Sequence, residues 1–90
     1  MRSRYTAFAL KDAAYLFATW HPSTRPSRID FTPDQEWSLL RIVASDEKEV
    51  TATVEFVARS RIGGCIHELH EVSRFNREQG LWFYVDGVIQ

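Results

Sequence analysis

Two sets of side chains near the C-terminus have the composition of a ligand pocket or a proton-transfer site. Alternate residues of a β-strand point to the same face. The sets that this alternation predicts are Glu71, Ser73 and Phe75, and separately Trp82, Tyr84 and Asp86. Each combines polar groups with aromatic ones, as ligand pockets do. A buried carboxyl beside Tyr84 would have a raised pKa, which makes Asp86 a candidate general base, although a turn role before Gly87 is the simpler interpretation.

A third candidate group lies where the first helical region ends, at Trp20 and His21. Histidine titrates near neutral pH, so His21 could transfer protons at the mouth of a cavity, or it could cap helix carbonyls. The candidates for catalysis are His21, Glu71, Tyr84 and Asp86, and those for ligand contact are Trp20, Ser73 and Trp82. An aromatic pair such as Trp82 and Tyr84 is more often ordinary core than a platform for a ligand.

Cys65, His67 and His70 have side chains that bind zinc, but their spacing argues against a metal site. On a strand the first two point to one side and His70 to the other, so the three cannot converge without a bulge. We therefore predict no metal ligands.

Charged side chains elsewhere have simpler interpretations. Glu55 lies opposite the expected core face and is predicted to pair with an arginine, for which the candidates are Arg41, Arg59 and Arg74. The cluster from Arg2 to Tyr5 could bind an anion, but its arginines are expected to pair with surface carboxylates between Asp30 and Glu49.

Composition limits the classes of function. The net charge of −1 disfavours nucleic-acid binding, and the chain has no phosphate-binding loop, dinucleotide glycine fingerprint or nucleophile elbow, so no cofactor is expected. A single cysteine excludes an internal disulfide and fits a reducing compartment. No apolar run approaches the length of a membrane span or a signal peptide, so we predict a cytoplasmic protein without membrane contact.

The elements that must position these residues are two helices and four strands. Apolar positions between Tyr5 and Trp20 recur at helical spacing, and Asp12 can cap a second helix, so we predict two short helices divided at Lys11–Asp12. Loop follows from 21 to 33, with one helical turn predicted at 32–36. Four stretches rich in β-branched and aromatic residues, 37–45, 50–62, 65–78 and 81–89, predict an antiparallel meander. In the second strand the core face is predicted to hold Val50, Ala52, Val54, Phe56 and Ala58.

The strings MRSRYTAF, LFATWHPS, TVEFVAR, HEVSRF and LWFYVDG resemble successive motifs of the YchJ-like family. The resemblance covers nearly the whole chain. It implies an α+β fold in which N-terminal helices pack on a curved four-stranded antiparallel meander sheet, the cone of nuclear transport factor 2-like and cystatin-like proteins. It also implies that residues 1–90 are a single middle domain, which other members flank with SEC-C zinc motifs that are absent here.

Three functions are compatible with these residues. The leading hypothesis is a non-catalytic interaction or accessory module that binds a protein partner. The alternative is an enzyme of the isomerase, dehydratase or hydrolase type with its base in the cavity of the cone. The third is a small-molecule pocket without chemistry, and a homodimer through the exposed sheet face is compatible with all three.

Overall fold

The computed structural model describes the whole chain, Met1–Gln90, as two short helices followed by four strands. The elements are α1 (Arg2–Ala9), α2 (Ala13–Ala18), β1 (Gln35–Glu47), β2 (Thr51–Ile62), β3 (Cys65–Glu78) and β4 (Leu81–Ile89). The α+β class predicted from the sequence is confirmed. No helix has the length and apolar character needed to cross a membrane.

The division between the helices lies where the sequence placed it. Lys11 adopts a left-handed φ of 56°, which ends the first helical segment. The Asp12 side chain then accepts a hydrogen bond of 3.1 Å from the backbone N–H of Tyr15, which caps α2. The left-handed residue and the N-cap separate the two helices, and α1 and α2 contact each other.

The four strands form one antiparallel sheet in the order β1-β2-β3-β4, as the meander prediction requires. Gly63, Gly64, Gln79 and Gly80 have positive φ values and form the two tight turns on either side of β3. The helical turn predicted at 32–36 is absent, because Gln35 already pairs with Ile62 and so begins β1.

A bulge in β4 changes which residues share a face. Arg74 pairs with Asp86 and the next residue, Phe75, pairs with Tyr84, so Val85 has no partner on β3. One extra residue reverses the alternation of a strand. Tyr84 therefore lies on the face that packs against the helices, here called the inner face, while Asp86 lies on the outer face beside Arg74.

The predicted core face of β2 is the inner face. Phe56 and Ala58 are buried there, whereas Val50, before the strand begins, is exposed. Val57 on the outer face is also buried. Leu16 of α2 is completely buried and contributes to the same core.

The segment after α2 covers the edge of the sheet. Tyr84 N–H donates to the Thr19 carbonyl at 2.9 Å, and His21 N–H donates to the Tyr84 carbonyl at 2.7 Å. These bonds form a parallel bridge between Trp20 and Tyr84. The bridge fastens the helices to β4 and places the Trp20 ring beside that of Tyr84, with centroids 5.0 Å apart.

Candidate functional site

A cavity of about 220 Å³ lies between α1 and the inner face of the sheet. Its walls come from α1, from the Trp20 segment and from all four strands. The lining residues are Met1, Arg4, Tyr5, Phe8, Trp20, Trp37, Phe56, Ala58, Leu69, Glu71 and Tyr84. Only Arg4 and Glu71 among them carry a charged side chain, so the cavity is largely apolar with two ionic groups.

Arg4 is the most unusual of these residues because it is charged and only 7% exposed. Its guanidinium carbon lies 3.6 Å from the ring centroid of Tyr84, 4.5 Å from that of Trp20 and 5.2 Å from that of Phe8. It forms no ion pair, and its Nη1 has no hydrogen-bond partner. Burial lowers the pKa of Arg4, while Tyr84 and the Glu71 carboxylate oppose that change. The cation thus lies against three aromatic rings, while Tyr84 and the Glu71 carboxylate favour its charged form.

Glu71 is held by its neighbours on the sheet. The hydroxyl of Ser73, which is fully buried, donates to Glu71 Oε2 at 2.5 Å. Gly87 pairs with Ser73 across the strands, and a Cβ at Gly87 would overlap the Glu71 carboxyl group. The missing side chain at Gly87 therefore provides the space that Glu71 occupies.

Two further residues of the cavity wall, Trp20 and Tyr84, carry polar groups. The indole Nε1 of Trp20 is buried and has no hydrogen-bond partner. Burial raises the pKa of the Tyr84 phenol, the Glu71 carboxylate raises it further, and the Arg4 guanidinium opposes both. Tyr84 is therefore a neutral hydrogen-bonding group at physiological pH.

The structure brings together four of the seven residues that the sequence predicts for a site. Trp20, Glu71 and Tyr84 line the cavity, and Ser73 supports Glu71. The prediction that Tyr84 and Asp86 share a face is wrong, because the bulge at Val85 separates them.

The other three predicted site residues, His21, Trp82 and Asp86, do not line the cavity. Asp86 accepts a hydrogen bond of 2.5 Å from Arg74 Nε, and this bond lowers the pKa of Asp86. His21 pairs through its ring with Glu78 and Ser23, and does not cap a helix carbonyl.

Trp82 lies near Arg77, with 5.9 Å between the guanidinium carbon and the ring centroid. Of the four candidates for catalysis, only Glu71 and Tyr84 therefore lie at the cavity.

The arginine partner predicted for Glu55 is wrong. Glu55 accepts a hydrogen bond from His70 Nε2 at 2.6 Å, and Arg59 pairs with Glu68 at 3.2 Å. In an antiparallel pair the partner is set by register, which places Val72 directly opposite Glu55 and leaves His70 two positions away on the same face.

The sequence reasoning missed Arg4 as a cavity residue, because its cluster was expected to pair with surface carboxylates. A signal was nevertheless present. Arg4 precedes Ala7 by three residues and Phe8 by four, so it lies on the helix stripe that packs inward.

A cavity between N-terminal helices and a four-stranded antiparallel sheet defines a domain of the nuclear transport factor 2-like class. The family model described as "YchJ, middle NTF2-like domain" matches residues 1–87, and the chain belongs to this family. The resemblance noted in the sequence is thereby confirmed.

Named relatives and a solved structure agree with this assignment. A UPF0225 protein of Bordetella pertussis is 52% identical over 92 residues, which cover 100% of this chain and 69% of the relative. A UPF0225 protein of Chromobacterium violaceum is 46% identical and is covered to 70%. The solution structure of a SEC-C motif containing protein from Rhodopseudomonas palustris superposes with a TM-score of 0.88 at 38% identity, over 98% of this chain and 73% of that one. The names of these relatives indicate no catalytic function.

Proposed function

We propose that this domain is a non-catalytic binding module whose cavity takes a small ligand. The observation that carries the proposal is an apolar cavity lined by Arg4 and Trp20, each of which has a buried donor, Nη1 and Nε1 respectively, with no partner within the protein. Buried polar groups are almost always hydrogen-bonded, and an exception calls for an explanation. A ligand that accepts from both donors supplies one.

The placement of the ionisable groups favours binding over catalysis. Proton transfer in a cavity needs an acid or base within reach of the ligand. His21 is paired with Glu78, and Asp86 with Arg74 on the outer face. Burial raises the pKa of Tyr84, so its phenol is neutral near pH 7, and one oxygen of Glu71 is engaged by Ser73.

The test is a fragment screen that compares the domain with a variant in which the cavity is filled. Ala58 lines the cavity and is buried, so Ala58→Leu should occupy part of its volume, whereas Ala44→Leu changes an exposed residue of β1. A ligand that binds only the folded state raises the unfolding midpoint by mass action. We expect fragments that stabilise the parent domain and Ala44→Leu but not Ala58→Leu. A screen in which no fragment stabilises the parent domain would refute the proposal.

The other candidate function is that of an accessory domain that binds a second protein module. It is favoured by the solved neighbour, which is a SEC-C motif containing protein of which this chain covers 73%. Its test is to compare amide NMR shifts of the domain alone and joined to the SEC-C segment of that neighbour. Shift changes confined to the joining residues would count against a docked accessory module.

A cytoplasmic location is part of this proposal. It is supported by Cys65, which is exposed and not in a disulfide, the usual state of thiols in a reducing compartment. Cell fractionation with an antibody to the native protein tests it, and recovery from an oxidising compartment would overturn it.

A further inference from the structure

The geometry points to a single-ring aromatic carboxylate as the ligand of this cavity, with its carboxylate bound by Arg4 and Trp20. This inference rests on the proposed function and adds the chemical class of the ligand. Three features of the cavity support this inference. Arg4 is a buried cation without an ion pair, the volume fits one aromatic ring, and the Glu71 carboxylate disfavours a second anionic group.

The first feature is the missing counter-ion of Arg4. Arg4 is only 7% exposed and forms no ion pair, and a buried charge without a paired counter-ion is costly even with the Glu71 carboxylate in the same cavity. A carboxylate matches a guanidinium in shape and accepts two hydrogen bonds from it. The Trp20 ring centroid lies 4.5 Å from the guanidinium carbon, so the unpartnered Nε1 of Trp20 lies on a side chain adjacent to Arg4. An anionic acceptor at this point pairs the cation and satisfies an orphaned donor.

The second feature is size and wall chemistry. An apolar cavity of about 150 Å³ accommodates benzene, so 220 Å³ accommodates one ring with a small polar substituent. More than half of the lining residues are aromatic: Tyr5, Phe8, Trp20, Trp37, Phe56 and Tyr84. Aromatic rings gain from edge-to-face and offset packing beyond the area that they bury. A flat ring therefore fits these walls better than an inorganic anion does.

The third feature is Glu71, which limits the charge of the ligand. Its Oε2 accepts from Ser73, while Oε1 makes no hydrogen bond. A second anionic group on the ring, or a phosphate dianion, would be repelled by this carboxylate in a cavity of low dielectric. A hydroxyl or amino substituent could instead donate to Oε1. Hydroxy- or amino-substituted benzoates are thus favoured over dicarboxylates.

The experiment uses four matched probes: benzoate, its neutral isostere benzamide, 3-hydroxybenzoate and isophthalate. Affinities are measured by NMR titration, following the indole N–H of Trp20, which should shift when it gains an acceptor. We expect benzoate to bind about tenfold more tightly than benzamide, as a charge-assisted pair should. We also expect 3-hydroxybenzoate to bind more tightly than isophthalate.

Single-residue variants test which side chains cause these differences in affinity. Arg4→Met should remove the preference for benzoate over benzamide, whereas Arg2→Met, which changes an exposed arginine of the same helix, should keep it. Trp20→Phe keeps an aromatic ring at this position, although a smaller one, and deletes the donor. It should weaken benzoate binding about threefold to tenfold, and it tests the inference even if Arg4→Met fails to fold. Glu71→Gln removes the negative charge, so it should reduce the difference in affinity between 3-hydroxybenzoate and isophthalate.

The outcomes separate this inference from the function on which it rests. Benzamide binding as tightly as benzoate would overturn the carboxylate assignment and leave the cavity as a binding site for neutral rings. Equal binding of benzoate by the parent domain and Arg4→Met would also overturn it. If none of the four probes binds and the fragment screen finds no ligand, both the inference and the proposed function fail.

Discussion

At the scale of single residues, Arg4 is the most unusual group of this domain, because it is charged and buried. It places a positive charge among three aromatic rings, and no carboxylate of the protein pairs with it. Cation–π contacts contribute about 0.5–2 kcal/mol each, which offsets only part of the cost of burying an unpaired charge. A residue that costs stability where an apolar one would fit is characteristic of a binding site.

This argument predicts different effects for two substitutions of Arg4. Arg4→Met keeps the side-chain volume and removes the unpaired charge, so stability should be unchanged or higher. Arg4→Ala removes packing from three rings and should cost about 2–4 kcal/mol. Urea denaturation of both variants measures the difference. Equal losses would show that the charge itself stabilises the fold, contrary to a binding role.

Gly87 and Glu71 should be energetically coupled, because a Cβ at position 87 overlaps the Glu71 carboxyl group. Gly87→Ala should displace that carboxylate, break its hydrogen bond with Ser73 and cost about 1–2 kcal/mol. In the Glu71→Ala background the same change should cost much less. A double-mutant cycle measured by denaturation gives the coupling, and additive effects would refute it.

Tyr84 should be the origin of a pH dependence at alkaline pH. Its pKa is raised by burial and by Glu71, whereas a phenol in the unfolded chain ionises near 10. The unfolded state therefore loses its proton first, and the stability contributed by Tyr84 is full below about pH 10 and is lost as pH rises through the folded-state pKa.

The absorbance change of tyrosine ionisation measures this titration. The part of the absorbance change that occurs at the highest pH is assigned to Tyr84. Tyr84→Phe should remove it, and Tyr15→Phe, which changes an exposed tyrosine, should keep it. A change at the highest pH that survives in Tyr84→Phe would contradict the assignment.

At the scale of elements, local signals predicted most of the fold, and cross-strand register decided what they missed. The division at Lys11–Asp12, the glycine turns and the meander follow from residues close in sequence. The bulge at Val85 depends on how two strands align, which strict alternation cannot anticipate. That bulge separated Asp86 from Tyr84, so the candidate site was predicted only in part. Arg4 was missed because a charged residue on a short helix is ordinarily expected to face solvent.

The stability of α2 should depend on the Asp12 cap at the boundary between the two helices. Asp12 caps α2 through the Tyr15 N–H, and removing an N-cap typically costs about 1 kcal/mol. Asp12→Ala should therefore lower stability by about that amount, whereas Asp12→Asn, which can still accept, should lower it much less. Thermal unfolding compares the two, and equal losses would mean that the negative charge at this position matters more than the cap.

At the scale of the whole molecule, the helices and the sheet are joined around a shared cavity. Trp20 bridges to β4, and Trp37 of β1 contacts Tyr5 and Phe8 of α1, with ring centroids 6.0 and 6.4 Å apart. The first and last strands are thus both tied to the N-terminal segment. Neither the helices nor the sheet can bury its apolar face without the other, so they should unfold together.

That coupling can be measured with two probes of unfolding. In Trp82→Phe the remaining tryptophans, Trp20 and Trp37, both lie at the helix–sheet boundary, so fluorescence reports on that boundary while far-ultraviolet circular dichroism reports on the strands. We expect the two urea transitions to coincide, with a free energy of unfolding of about 5–13 kcal/mol for a chain of this length. Benzoate should shift both curves equally, because a ligand enclosed by helices and sheet stabilises only their joint folded state. If fluorescence changes at lower urea than circular dichroism, the helices detach from an intact sheet, and the cavity would then be a site that opens without global unfolding.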